Sequence, residues 1–349
     1  MSSRRLVFVL PSDSHLVSGG NIYNRELLAA ARRQRTVDAL SVADWESQLV
    51  AGEPGTFVVD TLNMSDFLRA VPAPREGQRF LLVVHLLPSM DPVRDRDDPS
   101  VCVEREALPR FDGFLVTSAY TAGQLRARGQ RQPCLTVPPG LPERARPPIE
   151  LGPDLRALIV GNLVANKGVL PFIRALGGAV RADDRFVVDV VGRIDLDRDH
   201  AEACLRAAPA AGLGGGDGGG LRFCGPASYE DMDRHYRRAS LLLSPSLMET
   251  FGMALQEARA FGVPILACDA GNSAAHVVEG VNGHLDGSIP DLVTGFMELV
   301  RAPHRLRRLF ASAQAARTGG DYTWDVAARD FLRQLDEFER AAGAGVAPG

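Results

Sequence analysis

Glu249 follows an apolar strand and Glu257 lies inside the helical pattern after it, eight residues on, in Ser244-Pro245-Ser246-Leu247-Met248-Glu249-Thr250-Phe251-Gly252-Met253-Ala254-Leu255-Gln256-Glu257. The strand is expected at 239–243, the loop at 244–250, and the helix from Phe251 to Phe261, closed by Gly262 and Pro264. A helix beginning there aims unpaired N–H groups above the sheet. That end carries about half a positive charge and suits a diphosphate, and Gly252 removes the side chain that would keep a ligand off the backbone. Helical rise separates the two carboxylates by about 12 Å, so a sugar ring could meet Glu249 while a ribose meets Glu257. Spacing alone also permits a plainer arrangement, with Glu249 partnering the helix dipole and Glu257 on a solvated face.

Gly161-Asn162-Leu163-Val164-Ala165-Asn166-Lys167-Gly168 runs from a strand into a helix, on the carboxyl edge where open α/β sheets bind ligands. Lys167 is placed to neutralise charge on a leaving diphosphate, or else is a solvated lysine in a turn. The spacing from Gly161 to Lys167 is that of a phosphate loop, but Asn166 replaces its second glycine and Gly168 its Ser/Thr, which argues against an ATPase-type loop. Ser18-Gly19-Gly20-Asn21 follows the first strand, with Asn21 the expected helix cap. Gly19 and Gly20 form a tight turn whose amides a phosphate could approach, unless the glycines serve turn geometry alone. His85 ends the buried strand Phe80-Leu81-Leu82-Val83-Val84 and is expected at the same edge, in a functional or a structural role.

Apolar strand-like runs alternate with helical patterns throughout, which predicts two α/β layered domains with parallel sheets. In the first half strands are expected at 5–10, 36–42, 56–59, 80–86 and 114–117, with helices at 21–34 and 119–128. Residues 138–153 are rich in proline and continue neither element. The first domain is therefore set at 1–142, a linker at 143–153 and a second domain at 154–320. The second set has strands at 155–160, 186–191, 221–224 and 265–268, a helix at 168–180, and a helix capped by Ser228 that ends near Arg238, with Asp231 as a capping-box-like partner. An amphipathic helix at 322–339, with Trp324, Phe331, Leu332, Leu335 and Phe338 on one side, is expected to pack back on the first domain, and the tail to Gly349 to fray. Residues 211–220 contain a formal GxGxxG at Gly214, Gly216 and Gly219, but it precedes a strand and opens no helix. It is expected to be a flexible loop, which removes support for a nicotinamide dehydrogenase.

At 349 residues the chain is long enough for two cores. A formal net charge of -4 gives no general attraction to nucleic acid. Apolar runs break within about ten residues, short of the roughly 20 that span a bilayer, and the N-terminus reads as a strand, not a signal peptide. Cys102, Cys134, Cys204, Cys224 and Cys268 show no zinc or redox spacing and suit a reducing cytoplasm, with Cys224 and Cys268 expected buried. The acid pairs Asp95/Asp97 and Asp195/Asp197 lie in polar loops without converging ligands, so no metal is expected. Arg32, Arg33 and Arg35 could meet anionic headgroups as a peripheral membrane contact, although a basic helix end explains them equally.

The second half resembles the retaining nucleotide-sugar glycosyltransferases of the GT-B fold, glycosyltransferase family 4 most closely. The likeness rests on Val160-Gly161-Asn162-Leu163 with Lys167-Gly168, Phe223-Cys224-Gly225 with the Ser228 helix, Ser244-Pro245-Ser246 with Glu249, Phe251, Gly252 and Glu257, and Gly262-Val263-Pro264-Ile265. Weaker echoes are Gly19-Gly20, His85, Thr117-Ser118-Ala119-Tyr120-Thr121 and Val137-Pro138-Pro139-Gly140. The resemblance implies two Rossmann-like domains with parallel sheets facing across a cleft. It implies a metal-independent, cofactor-free enzyme that moves a hexose with retention from a nucleoside diphosphate sugar, UDP-sugar before GDP-mannose, to a small-molecule or lipid hydroxyl or amine. Glu249 would lie against the sugar and Glu257 against the ribose. Lys167, with Thr250, Phe251, Gly252 and Met253, would hold the diphosphate, and the backbone after Phe223 and Cys224 would read the base. Gly19 and Gly20 would approach the phosphates and His85 the sugar and acceptor. Family members usually carry arginine where this chain has Asn162, a loss that Arg193 could make good. A sugar-nucleotide binder without turnover, or an epimerase on the same scaffold, is the alternative.

Overall fold

The computed structural model describes residues 4–42, 44, 45, 53–71, 76–214, 219–318 and 321–344. They divide into two compact units, Met1–Glu143 with Asp321–Gly349, and Arg144–Gly320. In the first unit β1 (Leu6–Leu10), β2 (Asp38–Ser41), β3 (Gly55–Asp60), β4 (Gln78–Val84), β5 (Gly113–Val116) and β6 (Cys134–Thr136) form one sheet of order β2-β1-β3-β4-β5-β6. Every pairing is parallel, so each connection crosses over the sheet, mostly through a helix. Chain order reverses between β1 and β3, and ligands of such sheets lie at that reversal, outside the carboxyl ends of the strands. The last helix, Trp324–Ala344, belongs to this unit: Phe331 meets Phe8 edge-on with ring centroids 5.9 Å apart, and Gln334 hydrogen-bonds both backbone groups of Thr136.

The second unit repeats the plan with β7 (Arg156–Val160), β8 (Phe186–Val191), β9 (Gly219–Gly225), β10 (Leu241–Ser244), β11 (Ile265–Cys268) and β12 (Gly283–Asp286), in the order β12-β11-β10-β7-β8-β9. Its reversal falls between β7 and β10. Helices cover both faces, so the central strands are mainly apolar: Leu241 and Leu243 enter the core on one face and Leu242 the core on the other.

The structure differs from the sequence expectation at several elements. Gly219 and Gly220 pair with Phe186 and Val187 as the start of β9 and are not loop, while Gly216 lies outside the described residues. β6 and β12 escape recognition because one has three residues and the other, Gly-His-Leu-Asp, is half polar. The helices Pro99–Ala107, Arg198–Ala210, Ile289–Arg301 and Pro303–Ala315 were likewise unread. The 251–261 helix begins at Met253, so only part of the span from Glu249 to Glu257 rises helically. Asp231 accepts from the Ser228 hydroxyl, not from its backbone as a capping box would require. The tail beyond Ala344 lies outside the described residues.

Two features hold the carboxyl edge of the second sheet in shape. The first is a pair of glycines with left-handed backbone: Gly168 (φ 67°) opens the Val169–Ala179 helix after β7, and Gly252 (φ 95°) opens the Met253–Phe261 helix after β10. A Cβ at Gly168 would overlap the Pro245 carbonyl oxygen. The second is a clamp on the loop after β10. The Asn272 N–H donates to the Glu249 carbonyl (2.7 Å), while the Asn272 side-chain amide (2.9 Å) and His276 Nε2 (2.6 Å) both meet the Phe251 carbonyl. Burial drives the His276 pKa down to about 4 despite the Phe251 hydrogen bond, so the ring is neutral and carries its hydrogen on Nε2.

Both features make predictions for stability. Gly168→Ala is strained in backbone and overlaps a carbonyl, and should lower unfolding free energy by about 3 kcal/mol or more, read as a fall in denaturant midpoint at unchanged slope. His276 takes up its proton near pH 6.5 when unfolded and only near pH 4 when folded. The unfolded chain therefore binds more protons between those values, and stability falls as pH drops through them. Between about pH 7.5 and pH 4 the wild type should lose about 3 kcal/mol more than His276→Gln; parallel losses in denaturant titrations would contradict this.

Candidate functional site

In the second unit Lys167 Nζ lies 2.6 Å from Glu249 Oε1. The lysine comes from the loop after β7 and the glutamate from the loop after β10, the two strands that flank the reversal in chain order. Leu247 N–H donates to the Asn166 carbonyl at 2.8 Å, tying the loops together, and a Cβ on Gly161 would stand 3.4 Å from Lys167 Cδ. The ammonium is thus carried over the sheet edge along a glycine that leaves room for its stem. Gly168 and Gly252 supply no side-chain cap to the helices that start beside the pair, whereas Asp197, Ser228 and Ser288 cap other helices of this unit. First-turn amides without intrahelical partners and a lysine together make this edge electropositive. Thr250, Phe251 and Met253 are half-buried around it, and Gly252 is buried.

Glu257 is half-buried one turn into the same helix. Burial raises its carboxyl pKa, against a hydrogen bond from Tyr236 and the charges of Arg144 and Arg146. Tyr236 stacks on Phe261 at 5.1 Å, and Arg144 pairs with Asp233 at 2.5 Å. Phe223 packs partly against the core at the end of β9, while Cys224 is exposed, not buried as its strand position suggested: β9 is the edge strand, and successive side chains alternate between its faces. Cys268 is buried as expected. Burial pushes the Cys204 thiol up to about 11 and Cys268 up to about 12, so neither is a thiolate near neutral pH.

Asn162 and Arg193 form a latch between the ends of β7 and β8. Asn162 Oδ1 accepts the Arg193 N–H at 2.9 Å, and the Leu163 N–H donates to the Arg193 carbonyl at 2.8 Å. The Arg193 guanidinium makes a two-pronged contact with Asp195, at 3.0 and 2.6 Å. The second acid pair has structural partners too. Asp195 holds Arg193, Asp197 caps the Arg198–Ala210 helix, and Asp95 and Asp97 are exposed beside a turn in which the Asp95 carbonyl accepts from Asp98 N–H. Arg32, Arg33 and Arg35 are bound within the first unit, to the Val37 carbonyl, Asp325 and Asp336.

In the first unit a second cluster sits at the reversal between β1 and β3. Ser18, not Asn21, caps the Gly19–Arg32 helix: its hydroxyl accepts the Asn21 N–H at 3.2 Å. Gly19 and Gly20 are therefore the first helical residues instead of a turn, and Asn21 holds the preceding loop through the carbonyls of Asp13 and Leu16. A Cβ on Gly20 would come within 2.9 Å of the His85 ring. His85 Nε2 is 3.0 Å from Asn24 Oδ1 and 3.3 Å from Asp60 Oδ2. Burial alone would raise the Asp60 carboxyl, but His85, the Leu62 N–H and Asn24 outweigh it and hold the pKa below the ordinary value. Asp60 and Asn24 were missed in the sequence, although Asp60 ends β3 as His85 follows β4, and Asn24 lies one turn beyond Gly20. His276, Tyr236 and Arg144 left no comparable signal, since their roles depend on tertiary packing.

Among the described residues no helix is long and apolar enough to cross a membrane. Residues 154–301 match the family model of the glycosyl transferases group 1. The chain is 31% identical over 252 residues to the D-inositol 3-phosphate glycosyltransferase of Geodermatophilus obscurus, covering 67% of this chain and 54% of that protein. It is 32% identical to the enzyme of that name from Frankia alni, covering 57% and 49%. The chain spans about half the length of these curated relatives. Among solved structures, sucrose-phosphate synthase from Thermosynechococcus elongatus matches with a TM-score of 0.78 at 18% identity, covering 97% of this chain and all of the other. Anabaena HepE in complex with UDP-glucose matches with a TM-score of 0.76 at 16% identity over 96% of this chain and all of HepE. The fold is that of the GT-B glycosyltransferases, and residues 154–301 belong to the glycosyl transferases group 1.

Proposed function

We propose that the protein is a retaining glycosyltransferase that moves a hexose from a nucleoside diphosphate sugar, a UDP-sugar first and GDP-mannose second, to a hydroxyl or amine of a small molecule or lipid. The observation that carries this reading is the Lys167–Glu249 pair beside the uncapped start of the Met253–Phe261 helix. HepE has a similar fold and is held in complex with UDP-glucose.

In the reaction the bond from the anomeric carbon to the diphosphate oxygen breaks, and its electron pair leaves with the phosphate. The acceptor oxygen forms its bond on the same face, and its proton passes to the departing phosphate oxygen. Lys167 and the amides of Thr250 to Met253 stabilise the charge growing on the diphosphate, and Glu249 lies on the sugar side, where the ring turns oxocarbenium-like. Glu257 accepts hydrogen bonds from ribose hydroxyls, and the backbone beyond Phe223 and Cys224 reads the base. Gly19, Gly20 and His85 lie in the first unit. No metal is assigned, because Lys167 and the helix start supply the positive potential.

Asn162 motivates a second reading. Its side chain is occupied by the Arg193 N–H, and the Arg193 guanidinium by Asp195, so the diphosphate is left with Lys167 and backbone amides. A sugar-nucleotide binder without turnover would tolerate that arrangement, and sustained nucleotide release with an acceptor excludes it.

Two measurements test the first reading. In a thermal-shift panel of UDP-, GDP-, ADP- and TDP-sugars at least one donor should raise the midpoint, since a ligand of the native state stabilises it. With that donor, Lys167→Ala and Glu249→Gln should each cut turnover at least about a hundredfold without loss of fold; near-normal activity in both would refute the assignment.

A further inference from the structure

His85 is held by more groups than a solvent-facing ring needs. Its Nε2 faces Asn24 Oδ1 at 3.0 Å and Asp60 Oδ2 at 3.3 Å, and the Asn24 amide nitrogen donates to the same Asp60 oxygen at 2.5 Å. The other Asp60 oxygen takes the Leu62 N–H at 2.8 Å, which fixes the carboxylate. These contacts determine where the hydrogens are. Turning the Asn24 amide over would set its oxygen against a carboxylate and its NH2 against the imidazole, so the orientation with NH2 toward Asp60 is favoured. Both atoms facing Nε2 are then acceptors, and Nε2 must carry hydrogen. In the neutral ring Nδ1 is left with a lone pair and makes no hydrogen bond among the described residues.

The ring itself cannot swing away. Gly20 leaves room for it on one edge, where any Cβ would stand 2.9 Å from Cδ2, and Tyr23 meets it edge-on at 5.4 Å. Tyr23 is anchored by its hydroxyl to the Val137 carbonyl at 2.9 Å. The His85 N–H donates to Thr61 Oγ1 at 3.3 Å, which in turn donates to the Val83 carbonyl, so the backbone is fixed as well.

We propose that Asn24 and Asp60 are positioning residues: they hold His85 as the Nε2–H tautomer and so offer its Nδ1, as a hydrogen-bond acceptor, to a hydroxyl group of a bound sugar substrate. This rests on the transferase reading for the identity of the substrate, but the tautomer follows from the first unit alone. The role also explains why a buried carboxylate and a buried amide are kept at a sheet edge, where apolar residues would pack at lower cost.

Nitrogen-15 spectroscopy of histidine-labelled full-length protein, in a pH series carried up to the range where the ring is neutral, reads the tautomer directly. We expect Nε2 protonated and Nδ1 unprotonated, and Asp60→Asn, whose amide can donate toward Nε2, should shift the population toward Nδ1–H. The same variant should lower kcat at least about tenfold with affinity for the sugar-free nucleoside diphosphate changed less than about twofold, since it disturbs a ring assigned to the sugar and not to the nucleotide. Asn24→Leu should reproduce the kcat effect. An Nδ1–H tautomer in the wild type, or Asp60→Asn with tautomer and kcat unchanged and only its melting midpoint lowered, would overturn the proposal. A wild type that shows the Nε2–H tautomer yet turns over no donor would count against the transferase reading and leave the tautomer assignment supported.

Discussion

Lys167 and Glu249 are 82 residues apart in the chain, and their side chains meet because β7 and β10 lie side by side. The pairing of Ala157 with Leu241 and of Leu158 with Leu242 sets the register, and the two following loops then leave the sheet as neighbours. An ammonium and a carboxylate brought together in a half-buried position gain little net stability, because losing water offsets much of their attraction. What they gain is place: a cation and a carboxylate at fixed points beside two helix starts. The glycines at 168 and 252 belong to the same arrangement. Their left-handed backbones turn the chain sharply into the helices and leave the first-turn amides without a side-chain cap.

The first unit builds a different site by the same device. Its sheet also reverses order: β3 ends there at Asp60, His85 follows the end of β4, and the helix after β1 begins there with Gly19 and Gly20. The chemistry differs because this helix is capped by Ser18, which uses one of the N–H groups that would otherwise face a ligand. The cluster therefore centres on an imidazole held by buried acceptors instead of on an open helix end. One edge favours an anion, and the other presents an oriented ring.

Most of the architecture was legible in the sequence, because parallel strands covered on both faces must be apolar at nearly every position. The runs Leu241-Leu242-Leu243 and Phe80-Leu81-Leu82-Val83-Val84 carry that requirement plainly. β12 does not, since it packs at the sheet edge and keeps His284 and Asp286 half-exposed. The placement of Glu249 and Lys167 could be read because both follow recognisable strands. The occupation of Arg193 by Asp195, the anchoring of Asn162 and the clamp of His276 on Phe251 could not, because each depends on which loop lies beside which. Gly20 was legible as a glycine but not for its contact, a histidine ring supplied by a strand 65 residues further on.

The central claim is that the Lys167 ammonium, held by Glu249 in the free protein, is the cation that receives the donor's diphosphate. Calorimetric titration tests this most directly, using the sugar-free nucleoside diphosphate of whichever donor stabilises the protein. Glu249→Gln removes the carboxylate that competes for the ammonium and should bind that diphosphate more tightly than the wild type. Lys167→Met should bind it at least about tenfold more weakly, about 1.4 kcal/mol. Equal affinity in the wild type and both variants would contradict the account.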